Sequence, residues 1–348
     1  MRRHINLELF VFLILLYVSA GCVDSREVII SGYTMGTFYN VKIVGGKIRN
    51  TNKLKTAVEN RLKEINMSMS TYIAESEISK FNADISDAEK FWVSDDFINV
   101  MMVSKKLYKL TDGAWDGTIK SLSDLWGFGS TEKKVKIPEK KAIDRILAKT
   151  GFDKIIVKEN NYLKKQKADV KLDLSSVAKG YAVDQIAELI IEKGFENFLV
   201  EIGGEVYASG FRGDGKEWKI GINMPEKNAS FNKVYQSIKL HNTAVATSGD
   251  YRIFFEVDGK RYSHVLDPKT GCPVSNQVVS VSILSNRCAF ADGLATAVMV
   301  LGHKKGLQLI NRLENVEGLI IARQKDGAFT DYYSKGFKAK YKPVFLDD

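Results

Sequence analysis

The sequence predicts an α+β fold in which mixed, largely antiparallel sheets pack against helices. Helical periodicity comes first along the chain, and many short segments rich in β-branched and aromatic residues follow after residue 197. Helices and strands do not alternate regularly, as they would in a parallel α/β fold. No linker rich in Pro, Gly and Ser divides the chain, so we expect one domain over residues 33–348.

Each element is predicted from local periodicity and from capping or turn residues. The spacing of apolar residues predicts helices over 56–65, 95–110, 139–149, 175–190, 292–301 and 305–313. Ser94 or Asp95 is expected to cap the second of these helices, and Ser175 or Ser176 the fourth. Alternation and β-rich composition predict strands over 34–44, 170–174, 197–204, 206–210, 218–223, 234–240, 243–247, 253–257, 278–284 and 316–323.

The N-terminus predicts a targeting segment. Arg2 and Arg3 precede an apolar run from Leu9 to Val18, which is too short to span a bilayer, and Ser19-Ala20-Gly21-Cys22 follows. This arrangement resembles a bacterial lipoprotein signal, and the alternative is an ordinary secretory signal. We expect a signal peptide over 1–21, a lipid on Cys22, and over 22–32 a short tether together with the first strand. The chain would then be exported and anchored to a bacterial membrane, facing the periplasm.

Charge and cysteine content limit the function classes. The net charge is +9, from 51 Lys and Arg against 42 Asp and Glu, but the lysines are spread along the chain without a nucleic-acid-binding signature. A solvated basic surface is therefore the better interpretation. Three cysteines, one of them Cys22, do not make a disulfide framework, and no metal-type cysteine spacing is present.

Two distant segments carry the residues suited to chemistry. Asp292 and Thr296 are four positions apart in a predicted helix, so a carboxylate and a hydroxyl share one face, as suits Mg²⁺. The predicted strand–turn–helix around Asp173 offers a positive helix end to a phosphate, within reach of Lys179. His264 is a candidate general base. The alternatives are a capping role for Asp173, a solvated Lys179 and a structural histidine.

Ten segments together resemble the ApbE family, the FAD:protein FMN transferases. They occur in the family's order, cover nearly all of the mature chain, and span residues 33–37, 69–72, 75–82, 115–116, 125–129, 173–184, 202–205, 247–251, 263–271 and 291–296. Each segment alone is weakly specific, whereas ten in order are highly specific. The resemblance implies an ApbE-like fold and a Mg²⁺-dependent transfer of FMN from FAD to a threonine hydroxyl of a target flavoprotein, with release of AMP.

The resemblance also implies roles for residues and partners. His264 would activate the acceptor hydroxyl, and Mg²⁺ would be bound by Asp292, Thr296 and Ser176, the last through its backbone carbonyl or its hydroxyl. FAD, as substrate, would contact Met35, Ala114, Trp115, Asp116, Asp173, Lys179 and the backbone at Leu266. Acceptors would be exported flavoprotein subunits of electron-transfer or ion-pumping complexes. The chain has Trp115 where the family commonly has phenylalanine, and Gly293 where alanine is common.

Two other functions fit the same residues. The first is an FAD diphosphatase, in which water replaces the threonine hydroxyl and the products are FMN and AMP. The second is a non-catalytic lipoprotein that binds flavin. The sequence does not separate the transferase from the diphosphatase, because both need the same metal and phosphate groups and differ only in the acceptor.

Overall fold

The computed structural model describes residues 27–45, 50–85, 90–129, 137–158, 160–227, 229–230 and 233–345. The helices within these ranges are α1 (Thr51–Met69), α2 (Glu77–Ala83), α3 (Asp95–Leu110), α4 (Lys120–Leu125), α5 (Lys140–Leu147), α6 (Ser175–Glu192), α7 (Cys288–Ile310) and α8 (Phe337–Tyr341), with a 3₁₀ helix at Phe152–Lys154. The first nine strands are β1 (Glu27–Thr34), β2 (Thr37–Val44), β3 (Phe91–Trp92), β4 (Ile155–Lys158), β5 (Tyr162–Lys165), β6 (Phe198–Ile202), β7 (Glu205–Ser209), β8 (Trp218–Asn223) and β9 (Val234–Leu240). The remaining strands are β10 (Thr243–Gly249), β11 (Phe254–Val257), β12 (Lys260–Ser263), β13 (Leu266–Asp267), β14 (Cys272–Pro273), β15 (Val278–Ser285), β16 (Glu317–Arg323), β17 (Phe329–Tyr333) and β18 (Val344–Phe345).

An eight-stranded sheet organises the molecule. Its order is β1-β2-β6-β7-β10-β15-β16-β17, and every pairing between neighbours in it is antiparallel. Three-stranded sheets β18-β9-β8 and β3-β5-β4 and two short hairpins, β11-β12 and β13-β14, complete the β structure of the described residues. The predicted α+β class with largely antiparallel sheets is therefore confirmed.

The two faces of the large sheet bury different cores, because successive side chains in a strand point to opposite sides. On one face, residues such as Val200 and Ala246 pack against α1, α3, α6 and α7. On the other face, residues such as Leu199 and Val245 pack against the β18-β9-β8 sheet and α8. The helices α6 and α7, which carry candidate site residues predicted from the sequence, therefore lie on the first of these faces.

The predicted strand over 34–44 is wrong at its start. Thr34 pairs with Thr37 across a two-residue turn at Met35 and Gly36, whose φ angles are 49° and 74°. Positive φ at both turn positions is the geometry of a tight hairpin, and Gly36 adopts it without strain. The first strand, expected together with a short tether before residue 33, is β1, and it extends from Glu27 to Thr34 in the large sheet.

The predicted strand over 170–174 is also wrong. Its backbone groups bind loops and side chains: Leu172 N–H donates to Asn82 Oδ1 at 2.6 Å, and Asp173 N–H donates to the Gly117 carbonyl at 2.8 Å. The predicted serine caps are not used for α6, which has Leu174 at its N-cap position and no side-chain cap. Asp173 Oδ1 instead accepts from the Ser175 N–H at 3.0 Å.

The two helices predicted over 292–313 form one helix, α7, which begins at Cys288 and is kinked at Gly302 (φ 76°). The Asp184 carboxylate of α6 accepts from the N–H groups of Cys288 and Ala289 at 2.8 and 3.0 Å. This cap comes from a distant part of the chain, so local sequence does not reveal it. Within the described residues, none of the helices has both the length and the apolar character needed to cross a membrane.

Candidate functional site

The site is built where α6 and α7 touch. A Cβ on Gly180 would lie 2.6 Å from the Cys288 carbonyl carbon and 2.8 Å from Ala289 Cα, so the two backbones approach as closely as glycine allows. The Gly180 N–H donates to Asp292 Oδ2 at 3.0 Å. The segments predicted from sequence to share one site, 173–181 and 291–297, are therefore in direct contact.

Three charged groups meet at this contact. Lys179 Nζ lies 2.8 Å from Glu205 Oε1 and 3.8 Å from Asp292 Oδ1. Glu205 and Asp292 are each only 2% exposed. Glu205 stands at the start of β7, after a Gly203-Gly204 turn in which both φ angles are positive, at 63° and 103°. One ammonium thus faces two buried carboxylates.

Burial and the charges of the neighbouring groups shift the pKa of all three groups. Burial alone would lower the pKa of Lys179, but the carboxylates of Asp292 and Glu205 raise it. Burial raises the pKa of Asp292, while Lys179 and the Gly180 N–H oppose that rise. Burial also raises the pKa of Glu205, with Asp292 adding to the effect and Lys179 opposing it. When all three groups are ionised, the cluster holds more negative than positive charge and is suited to a cation.

The predicted metal ligands lie around this cluster. The half-buried Thr296 follows Asp292 by one turn of α7, and its Oγ1 is 3.0 Å from Ser248 Oγ of β10. The Ser176 hydroxyl accepts from Trp115 Nε1 at 3.0 Å. Since the indole occupies that hydroxyl, the Ser176 carbonyl is the better donor of the two proposed from sequence.

The two departures from the family pattern are in contact. A Cβ on Gly293 would lie 3.3 Å from Trp115 Nε1 and 3.0 Å from Val177 Cγ2, and would overlap Leu107 Cδ1. The tryptophan is larger than phenylalanine, and Gly293 is smaller than alanine. The missing methyl group therefore makes room for the larger ring, which is 2% exposed.

The Asp116 carboxylate stabilises the local fold through hydrogen bonds. Oδ1 accepts from the Thr118 N–H at 2.8 Å, and Oδ2 accepts from the Phe152 N–H at 3.1 Å. Burial raises the pKa of Asp116, and these hydrogen bonds oppose the rise. Ala114 is buried just before it. Both carboxylate oxygens are thus engaged with loop groups that shape a nearby cavity.

That cavity has a volume of about 410 Å³ and lies between the Asp116 loop, the Gly151 turn and the turn at Lys269. Ligand pockets typically have volumes of about 300–1,000 Å³. Lys269 Nζ binds Asp112 Oδ2 at 2.5 Å, and this ion pair connects two segments that line the cavity. The turn that carries Lys269 starts at β13, where Leu266 is buried beside Trp126, and Trp126 Nε1 donates to the Gly271 carbonyl at 2.7 Å.

His264 follows the β11–β12 hairpin. Its Nδ1 is 3.1 Å from the Ile253 carbonyl, so an Nδ1–H that donates there leaves Nε2 as a base. Phe128 contacts the imidazole edge-on at a ring-centroid distance of 6.5 Å. Burial lowers the pKa of His264, and the charges of Lys179 and Arg261 lower it further, whereas the bond to Ile253 raises it.

Met35 lies at the tip of the β1–β2 hairpin, half-buried against the core that α6 and α7 share. The neighbouring Thr34 Oγ1 accepts from Asn66 Nδ2 at 2.9 Å, which attaches the hairpin to α1. Among the described residues, no hydrogen bond or ion pair joins Met35 to the charged cluster. Cys22 lies outside the described residues.

Sequence reasoning did not assign roles to Glu205 and Ser248. Glu205 belongs to a segment that resembles the family, but an acid after two glycines has no local pattern that indicates a site. Ser248 reaches Thr296 from a strand 48 residues earlier. Both contacts join a strand of the large sheet to a helix, so only the fold reveals them.

In the part of the chain that the structure describes, no three or more His, Cys, Asp or Glu side chains are grouped to hold a metal ion. The predicted ligand set differs in kind, because it combines one carboxylate with a hydroxyl and a backbone carbonyl. Such oxygen donors suit Mg²⁺, which retains several waters and takes few protein ligands.

Comparisons with known proteins identify the family. The ApbE family profile matches residues 35–320. An FAD:protein FMN transferase of Vibrio cholerae is 40% identical over 325 residues, covering 93% of this chain and 96% of that protein. Its counterpart in Escherichia coli K12 is 34% identical, covering 89% and 88%.

Solved structures of flavin transferases are also similar to this chain. The flavin transferase ApbE from Vibrio cholerae superposes with a TM-score of 0.83 at 39% identity, covering 92% of this chain and 99% of that one. The apo flavinyl transferase ApbE of Pseudomonas stutzeri has a TM-score of 0.81 at 34% identity, covering 90% and 96%. On its fold, its site and the extent of these matches, the chain belongs to the ApbE family.

Proposed function

We propose that the chain is an FAD:protein FMN transferase that moves FMN from FAD to a threonine hydroxyl of a target flavoprotein and releases AMP. The observation that carries the proposal is the contact between α6 and α7, which places Lys179, Asp292 and Glu205 in one buried cluster. Family membership supports transfer of flavin to a protein.

FAD is the substrate, and its diphosphate needs positive charge. Lys179 supplies an ammonium near the N-terminal end of α6, where free backbone N–H groups favour anions. The cavity beside Asp116 and Lys269 is large enough to hold part of a nucleotide. We place the diphosphate at Lys179 and one nucleotide half of FAD in this cavity.

The chain offers oxygen donors that fit Mg²⁺. Asp292 binds the Gly180 N–H through Oδ2, and its Oδ1 has Lys179 Nζ at 3.8 Å, beyond hydrogen-bonding distance. Asp292, Thr296 and the Ser176 carbonyl would hold the ion. When bound there, Mg²⁺ offsets the charge that develops on the diphosphate as AMP leaves.

His264 acts as the general base. Its lowered pKa keeps the imidazole neutral at pH 7, and Nε2 accepts the proton of the acceptor threonine. The threonine oxygen then forms a bond to the FMN phosphorus, and the bond from that phosphorus to the AMP oxygen breaks. AMP leaves with the electron pair of that bond.

Incubation with FAD, Mg²⁺ and an acceptor flavoprotein domain tests the proposal. We expect a fluorescent flavin that stays on the acceptor after denaturation. Asp292→Asn should reduce labelling to the level of the wild type with chelator, because the ion loses its only proposed carboxylate. Asp326→Asn, in the turn between β16 and β17, is the matched control and should label like the wild type.

The same assay separates the other two functions. Free FMN and AMP without labelled protein would identify an FAD diphosphatase, in which water takes the place of threonine. Bound FAD that stays intact with Mg²⁺ would identify a flavin-binding protein without turnover. An Asp292→Asn variant with full activity would remove the proposed metal role.

We also propose that the chain is exported and held at a bacterial membrane by a lipid on Cys22, where it meets exported flavoprotein subunits. The support is the N-terminal sequence alone. Fractionation of cells that express the full chain and its Cys22→Ala variant tests this. We expect the wild type in the membrane fraction and the variant released from it; equal distribution would contradict the anchor.

A further inference from the structure

We propose that Glu205 is a positioning residue, which holds the Lys179 ammonium away from Asp292 and so leaves the Asp292 carboxylate available to a divalent cation. This inference rests on the proposed function, because it concerns the same cation site. Neither carboxylate chemistry nor any other role was expected of Glu205 from the sequence.

The contacts of Glu205 support this role. Its Oε1 binds Lys179 Nζ at 2.8 Å, whereas Asp292 Oδ1 is 3.8 Å from the same nitrogen. Its Oε2 is buried and has no hydrogen-bond partner among the described residues. Lys179 is therefore the interaction that compensates this buried carboxylate, since an unpaired buried charge is strongly unfavourable.

The backbone fixes Glu205 at this point. Ile202 and Glu205 pair across the β6–β7 hairpin, which is closed by the Gly203-Gly204 turn. A Cβ on Gly203 would lie 2.7 Å from Thr37 Cγ2 of β2, so the turn is seated against the neighbouring strand. The carboxylate is thus fixed by the sheet, whereas Lys179 is carried on a flexible four-carbon side chain.

The charges of the cluster explain why this matters. Two carboxylates and one ammonium give the cluster a net charge of −1 when all are ionised. Without the Glu205 carboxylate, Lys179 would have Asp292 as its remaining acidic partner, and the pair would be neutral. A cation would then compete with the ammonium for Asp292, at the cost of separating a buried ion pair.

The test measures cation binding in the absence of FAD. Mn²⁺ is titrated into the folded protein, and the free ion is followed by electron paramagnetic resonance. For Glu205→Gln we expect the Mn²⁺ dissociation constant to rise about tenfold, equivalent to about 1.4 kcal/mol. Glu201→Gln on neighbouring β6, whose carboxylate is 3.4 Å from Asn40 Nδ2, is the control and should bind Mn²⁺ like the wild type.

A second pair of variants separates positioning from a general charge effect. If Glu205 acts through Lys179, then Glu205→Gln should change Mn²⁺ affinity little in a Lys179→Met background. A tenfold loss that persists there would overturn the positioning role, as would wild-type Mn²⁺ binding by a folded Glu205→Gln variant. If Glu205→Gln does not fold, Glu205→Ala, which also lacks the carboxylate, takes its place in both comparisons.

Failure of this inference can be told from failure of the proposed function. A wild type that binds Mn²⁺ but transfers no flavin to any acceptor removes the function. A wild type that transfers flavin, with Mn²⁺ affinity independent of Glu205, leaves the function intact and removes only the positioning role.

Discussion

At the scale of single residues, His264 determines how the activity should depend on pH. Burial and the charges of Lys179 and Arg261 lower its pKa below the ordinary 6.5. We therefore expect kcat/KM for flavin transfer to be independent of His264 ionisation at pH 7 and to fall only below pH 6.5, as the imidazole becomes protonated. A pH–rate profile with Mg²⁺ in excess measures this.

His264→Gln should slow transfer by about 10²–10⁴-fold, the usual contribution of a general base, and should remove this acidic decline. Stability should respond in the same direction. Between the folded pKa and 6.5, the unfolded chain binds the proton more readily, so the protein loses stability as pH falls through that window. A decline that persists in His264→Gln would assign it to another group.

Gly293 offers a test of the fit around Trp115. An added methyl group would overlap Leu107 Cδ1 and lie 3.0 Å from Val177 Cγ2. We expect Gly293→Ala to destabilise the protein by about 1–3 kcal/mol from overpacking, less about 1 kcal/mol of improved helix propensity. Urea unfolding measures the change.

The double variant Leu107→Val/Gly293→Ala provides the control, because valine lacks the Cδ atoms that the methyl group meets. We expect it to recover part of the loss. Stability of Gly293→Ala equal to that of the wild type would mean that the core adapts without cost.

At the scale of elements, the contact between α6 and α7 depends on one glycine. Any side chain at Gly180 meets backbone atoms of Cys288 and Ala289, which cannot rotate away as a side chain could. We expect Gly180→Ala to force the helices apart, to lower stability by about 1–3 kcal/mol and to weaken cation binding, since the Gly180 N–H holds Asp292.

Thermal unfolding and Mn²⁺ titration measure both effects. Glu192→Ala, an exposed change at the other end of α6, is the control and should leave both unchanged. If Gly180→Ala lowered stability but left Mn²⁺ affinity intact, the hydrogen bond to Asp292 would have no part in the cation site.

The spacing of apolar residues predicted helices and strands well where one face of the element is buried and the other is exposed. Strands β8 and β9 and helix α3 were predicted with their observed bounds, because their apolar spacing is regular and turns flank them. The hairpin at Met35 and the irregular segment 170–174 were missed. The hairpin was missed because the alternation of apolar and polar residues continues through its turn. Residues 170–174 alternate like a strand, but their backbone hydrogen bonds go to Asn82 and Gly117.

At the scale of the whole molecule, cation binding should stabilise the fold. Residues 176, 292 and 296 come from two helices that both belong to the main core. A ligand that binds only the folded state at 100 times its dissociation constant stabilises by about 2.7 kcal/mol. We expect Mg²⁺ to raise Tm relative to chelator in the wild type, and to leave Tm of Asp292→Asn unchanged; an equal rise in both would place the ion elsewhere.

The strand order of the large sheet could not be predicted from the sequence. β2 pairs with β6 across a separation of more than 150 residues, and nothing local in either strand specifies the other. The meeting of Lys179 with Asp292 was predicted because the two segments resemble one family site. Glu205 was missed because it reaches the cluster where β7 meets α6, a contact that no local pattern specifies.

The kink at Gly302 divides α7 into two parts, one that carries candidate site residues and one that packs against the sheet. The part before Gly302 carries Asp292 and Thr296, and Asn276 Nδ2 binds the Met299 carbonyl at its end at 2.8 Å. The part after the kink packs near Ile320 through Gly306. Because the helical geometry is interrupted at Gly302, we expect substitutions that tilt the outer part of α7 to leave the orientation of the part that carries Asp292 and Thr296 unchanged.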